Sequence, residues 1–107
     1  MAKYLLKVSY TAEGIKGLMK VGGTSRVASV QGALAGIGGT LESLYFAFGD
    51  SDVYAVADLP DHASAMAMAA ALASSGAISK CETVVLLSLA EVDAAMNKAV
   101  DYRPPGS

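Results

Sequence analysis

The sequence is poor in the residues that build disulfides and metal sites. Among its 107 residues there are one cysteine, Cys81, one histidine, His62, and no tryptophan. A single cysteine cannot form a disulfide within the chain, and no cysteine and histidine cluster has the spacing of metal ligands. We therefore expect neither a metal nor another cofactor, and we expect a reducing, cytoplasmic setting.

Charge is also scarce, and its signs are nearly balanced. Eight lysine and arginine residues stand against ten acidic ones, which gives a net charge of −2, and charged residues make up 17% of the chain. The basic residues are scattered, whereas nucleic-acid-binding proteins gather them on one face. No run approaches the roughly 20 apolar residues of a membrane span, and residues 1–7 lack the apolar core of a signal peptide. We expect a soluble protein without nucleic-acid or membrane partners.

Apolar residues, in contrast, are abundant. They account for 53% of the chain, enough to build the core of one domain of this length. We predict a single domain over residues 1–100 and an extended tail over residues 101–107. One small core does not absorb so many apolar side chains, so the composition also predicts self-association.

The order of the predicted elements is typical of a ferredoxin-like α+β fold. Apolar periodicity, capping residues and glycine breaks predict strands over residues 3–10, 40–48, 53–59 and 81–87, and helices over residues 12–20, 25–37, 62–75 and 89–100. The first helix is thus split at Gly22 and Gly23, and the second and third strands form a hairpin. The last strand has no polar residue from Val84 to Leu87, which predicts burial on both of its faces.

This βαββαβ order, with an extra C-terminal helix, predicts an antiparallel sheet with strands in the order 4-1-3-2 and both main helices on one face. The other face would then be bare. Apolar groups are offered to both faces by Leu5, Tyr45, Val53, Ala55 and the last strand. We therefore expect a homodimer in which a second copy covers the bare face.

Stretches over nearly the whole chain are typical of one protein family. They cover residues 2–10, 14–18, 22–26, 38–42, 46–49, 52–54 and 57–61. They resemble the GYD-domain family, small proteins with a dimeric α+β barrel form of this fold. The pattern that names the family is glycine, any residue, tyrosine and aspartate; here it reads Gly49-Asp50-Ser51-Asp52, with serine in place of tyrosine. The resemblance implies the dimeric barrel, and because the family has no established general activity it implies no reaction.

Two polar segments have the chemistry of candidate sites. Asp50 and Asp52 in the turn after Gly49 could act as a general base or as cation ligands, although a tight hairpin turn also favours these residues. A second segment combines free amides at a helix start with two cations and so suits a phosphate or carboxylate; it contains Lys20, Thr24, Ser25 and Arg26. The competing interpretation of that segment is an ordinary capped helix.

Aromatic residues are concentrated on the predicted sheet. A cleft between sheet and helices that is lined by Tyr10, Phe46, Phe48 and Tyr54 would suit a small apolar ligand, with Asp52 among its polar groups. Plain core packing explains the same residues.

Three functional hypotheses follow from these features. The first is a homo-oligomeric module that binds a small apolar or anionic molecule. The second is a cofactor-independent enzyme, similar to an isomerase or monooxygenase, that acts on a small apolar or aromatic substrate and uses Asp52 with nearby tyrosines. The third is a self-assembling structural protein, because the helix from Val27 to Ile37 carries no charged residue, which is typical of a further oligomer contact. A sequence altered by design or drift is the competing interpretation of this helix.

Overall fold

A computed structural model describes residues 1–106 and contains four strands and three helices in that range. The elements follow one another as β1 (Ala2–Tyr10), α1 (Ala12–Ala35), β2 (Thr40–Phe46), β3 (Val53–Leu59), α2 (His62–Ser74), β4 (Ile78–Leu86) and α3 (Leu89–Met96). All strand pairs are antiparallel and the sheet order is β2-β3-β1-β4. This confirms the predicted ferredoxin-like α+β fold and its strand order.

The core lies between one face of the sheet and the helices α1 and α2. Alternate residues of the two central strands, β1 and β3, point into it, as the period of two requires. Its most deeply buried members are Tyr4, Leu6, Ala55, Ala57, Leu59, Leu34, Ala65 and Met68. The alanines of β3 leave room for the helices to approach the sheet closely, and Leu34 of α1 fills that space completely buried.

Tyr4 is the one large core residue with a polar end. Its ring is 1% exposed, and its hydroxyl lies 2.6 Å from Nδ1 of His62 at the start of α2. We expect Tyr4→Phe to lower the free energy of unfolding by about 1 kcal/mol, because this hydrogen bond is lost while the ring volume stays. Urea unfolding checks the value. In a cycle with His62→Ala, the loss should disappear once the imidazole is absent, and an unchanged loss would contradict a direct contact.

The first helix is split at Gly22, as predicted. α1 runs from Ala12 to Ala35 and is bent at Gly22, whose φ of 81° and ψ of 166° are not helical. Only glycine adopts this φ readily, so the bend needs Gly22. The second half begins directly after Gly22, one to two residues earlier than predicted, so Thr24 lies exposed within this half and does not cap it. In the uncharged segment from Val27 to Ile37, Val30 and Leu34 point towards the core. The side chains left on its outer surface are therefore mostly small or polar.

The prediction that β4 is buried on both faces is wrong for the single chain. β4 lies at the edge of the sheet and pairs only with β1, and Val84 and Val85 are 39% and 49% exposed. The helix layer covers only part of an edge strand, so an apolar run there stays in contact with solvent. α3 also ends earlier than predicted, at Met96, and all residues from 87 to 106 are exposed.

The sheet face opposite the helices is bare in the single chain, as predicted. On this face Leu5 of β1 lies directly opposite Val56 of β3 and Val84 of β4. The three side chains form an apolar row across the sheet. We call the surface around this row the open face.

Candidate functional site

A cleft lies between the helix layer and the sheet, and Tyr10 borders every part of it. An outer groove of about 400 Å³ runs between α1 and α2, and a narrow gap of about 30 Å³ leads from it towards the sheet. A second opening, of about 450 Å³, lies at the hairpin end of the sheet. Because Tyr10 lines all three spaces, its ring stands where they meet.

Local hydrogen bonds fix the position of Tyr10. Its backbone N–H donates to Oδ2 of Asp52 at 2.9 Å, just after a register shift between Ser9 and Tyr10. The next residue, Thr11, caps α1: its hydroxyl oxygen accepts from the Gly14 N–H, and its own N–H donates to the Ala77 carbonyl. The end of β1 is thus held by the hairpin on one side and by the start of β4 on the other.

The walls of the outer groove are mostly apolar. They come from both halves of α1, from α2 and from the start of β4; their apolar members include Leu18, Val21, Val30, Ala33, Met68, Ala71, Leu72 and Ile78. Met68 and Leu72 are one turn apart on α2, so both side chains point the same way. A groove of this size and character can take a small apolar molecule.

Arg26 is the cation of this cleft. It is half-buried on α1 and lines both the outer groove and the narrow gap. Within residues 1–106 its guanidinium has no hydrogen bond or ion pair with another side chain. The one carboxylate of the outer groove, Glu13, lies 3.7 Å from Lys16 instead. Arg26 thus presents a positive charge with five donors to an apolar space.

Asp52 and Asp50 serve the hairpin in different ways. The Asp52 carboxylate accepts from Tyr10, and its backbone N–H donates to the Val8 carbonyl at 2.9 Å. Asp50 is exposed, whereas Ser51, which stands where the family pattern has tyrosine, is 2% exposed. The structure therefore gives Asp52 a local role in tying the hairpin to β1.

The structure brings together five of the residues that sequence reasoning singled out. The second opening is lined by Tyr10, Phe46, Phe48 and Asp52, and Arg26 lies on the other side of Tyr10. Tyr54 lies elsewhere, on the open face, where the Lys7 ammonium is 6.0 Å from its ring centre. The remaining residues of the predicted anion site are exposed and line none of these spaces; they are Lys20, Thr24 and Ser25.

Sequence reasoning missed the apolar walls. Met68 and Leu72 have helical spacing within an alanine-rich segment, and this spacing was the available signal. Val30 belongs to the uncharged helix from Val27 to Ile37, for which the sequence predicts an oligomer contact and not a ligand. A periodic pattern does not show whether such residues pack against another helix or strand or line a cavity.

Comparison with known proteins shows the family. Across residues 1–106 no helix is long and apolar enough to cross a membrane, and no three metal-binding side chains come together. Neither the curated proteins nor the solved structures gave a match to this chain. The GYD domain, in contrast, matches residues 4–96, which comprise nearly all of the folded body. The chain belongs to the GYD-domain family.

Proposed function

We propose that this protein is a homodimer that binds, in the cleft of each chain, a small molecule with an apolar body and one anionic group. The observation that carries the proposal is Arg26, a half-buried residue that has no carboxylate partner among residues 1–106 and lies on the wall of an apolar groove. A half-buried charge is costly to keep in an apolar setting unless something compensates it.

A carboxylate is the anion that suits this site best among small groups. Arginine binds carboxylates through two parallel hydrogen bonds, and the low polarity of the surroundings strengthens such a pair. The methylene and methyl groups of Val30, Met68 and Leu72 would cover an aromatic or aliphatic body. Tyr10, at the junction of the three spaces, would bound the ligand at its inner end.

The homodimer is proposed to form through the open face. The apolar row of Leu5, Val56 and Val84 would pack on its copy and lose contact with water. Charged groups flank the row: Lys3 contacts Glu42 and Asp58 on one side, and Lys7 and Lys80 contact Glu82 on the other. One flank therefore carries an excess of negative charge and the other an excess of positive charge. A twofold axis along the row would bring opposite flanks together.

Binding of 1-naphthoate, followed by isothermal titration calorimetry, tests the cleft. We expect Ala71→Phe to weaken binding by about tenfold or more, because the new ring fills the outer groove. The matched control is Ala67→Phe, one turn earlier on α2, where the residue is exposed and lies outside the groove. Equal affinities for the two variants would contradict binding in this groove.

The role of Arg26 is tested with a charged and a neutral ligand of the same shape. Wild-type protein should bind 1-naphthoate more tightly than 1-naphthalenemethanol, and Arg26→Gln should remove this preference while it keeps the weaker apolar binding. Lys20→Gln also removes one positive charge, at an exposed site on the same helix, and should leave the preference intact. If Arg26→Gln kept the preference, the carboxylate would have another partner.

A further inference from the structure

The C-terminal part of the chain exposes an apolar helix face, of which Val92 is the least exposed member at 39%. Leu89, Val92 and Met96 of α3 are three and four residues apart, so they form one stripe. Leu89 and Met96 are 85% and 76% exposed, and every residue from 87 to 106 is exposed. A helix this short is not stable by itself and needs packing on another surface.

The size of the exposed surface indicates a large interface with another chain. The chain exposes 7089 Å², whereas a folded monomer of its mass exposes about 5,500 Å². Its radius of gyration is 16.9 Å, against about 13 Å for a compact chain of this length. The excess, about 1,500 Å², exceeds the roughly 800 Å² that one partner contributes to a standard interface. The open face alone does not explain the elongated shape, whereas the C-terminal segment does.

The junction between β4 and α3 is short, and its start is fixed by a capping box. β4 ends at Leu86, and only Leu87 separates it from Ser88, the cap of α3. The Ser88 N–H donates to Glu91 Oε1 at 3.0 Å, and the Glu91 N–H donates to Ser88 Oγ at 3.1 Å. This reciprocal pair fixes the start of the helix.

A matching surface is present on the outer side of α2 and β4. There a groove of about 430 Å³ is bordered by Met66, which is 67% exposed, by Ala70 and Ala73 of α2, and by Cys81 and Thr83 of β4. Met66 to Ala73 and Leu89 to Met96 each contain eight residues, or about 10 Å of helix from the first Cα to the last. The groove also contains the helix-side edge of β4, which the helix layer leaves uncovered.

We propose that α3 of each chain packs into the groove between α2 and β4 of a second copy, with Leu89, Val92 and Met96 facing inwards. The exchange would bury two of the apolar surfaces that the single chain leaves exposed outside the open face. The proposal rests on the homodimer proposed above and is independent of the ligand. The native thiol of Cys81 in the groove provides a direct test.

Cross-linking between two different chains tests this contact. Wild-type protein is mixed with Cys81→Ser/Val92→Cys, the subunits are allowed to exchange, and the mixture is treated with bismaleimidoethane. We expect a cross-linked dimer on a denaturing gel, because Val92 of one chain would lie near Cys81 of the other. The matched control, Cys81→Ser/Ala94→Cys, places the thiol about 200° around the helix and should give at least about tenfold less product. Equal yields, or no product from Val92→Cys, would overturn the proposal.

Sedimentation of variants that leave the cysteine unchanged provides a second measure. Val92→Asp/Met96→Asp should raise the dimer dissociation constant about tenfold or more, and circular dichroism should show that the exposed helix change leaves the domain folded. An unchanged dissociation constant would overturn the exchange. A monomeric wild-type protein would overturn the homodimer itself, whereas a wild-type dimer that gives no cross-link would overturn only the proposed position of α3.

Discussion

Gly14→Ala should lower the free energy of unfolding by at least about 2 kcal/mol, whereas Gly17→Ala, one turn later, should raise it by about 0.5–1 kcal/mol. A Cβ on Gly14 would overlap the Ala77 carbonyl oxygen and lie 2.8 Å from Cδ1 of Tyr10. The carbonyl belongs to backbone that is hydrogen-bonded to Thr11, so it cannot simply turn aside. A Cβ on Gly17 meets nothing within 4 Å, and the change gains only helix propensity.

Urea unfolding of both variants at one pH checks that the two changes in the free energy of unfolding have opposite signs. The two substitutions are chemically identical and lie on the same helix, so propensity contributes equally to both. The difference between them therefore reports the close approach of α1 to the segment before β4. If Gly14→Ala were as stable as Gly17→Ala, the start of α1 would not pack against Ala77, and the position of Tyr10 in the cleft would have to be revised.

Leu5→Glu should raise the dimer dissociation constant by about 100-fold or more. Leu5 is the centre of the apolar row on the open face, and a twofold axis along the row would bring two new carboxylates close together. The neighbouring Lys3 and Lys7 already contact carboxylates of their own chain. Burying an unpaired charge opposes association by several kcal/mol. In the single chain the side chain faces solvent, so the domain should still fold.

Sedimentation velocity over a range of concentrations gives the dissociation constant, and Met19→Glu is the control. Met19 is 81% exposed on α1, and the substitution adds the same charge away from the sheet. It should leave the dimer intact. A dimer of unchanged affinity with Leu5→Glu would mean that the open face is not the contact.

The parts of the fold that follow from local chemistry could be predicted from sequence. Strict alternation in β1 and β3 determines which side chains enter the core, and Thr11, Asp61 and Ser88 cap helices where the sequence indicated a start. The hairpin between β2 and β3 likewise follows from its turn residues. These features depend on neighbours along the chain, and such interactions are visible in the sequence.

Features that depend on distant packing could not be predicted. The apolar run of β4 has the same composition as a central strand, and only the sheet order places it at an edge. Among the residues of the predicted anion site, Arg26 reaches the cleft while Lys20 stays outside, and the bend at Gly22 between them sets the direction of the second half of α1. The angle of this bend depends on contacts between α1 and the sheet, and the local sequence carries no information about those contacts.

Methyl NMR spectra of the methionines, recorded while the wild-type protein is titrated with 1-naphthoate, test the central claim that the cleft binds a small amphipathic anion. Met68 is 6% exposed and borders the cleft, whereas Met66, two residues earlier on α2, is 67% exposed and points away from it. We expect the Met68 methyl signal to shift with saturation while the Met66 signal stays in place. A shift of Met66 alone, or no shift of either signal at saturating ligand, would contradict binding in the cleft.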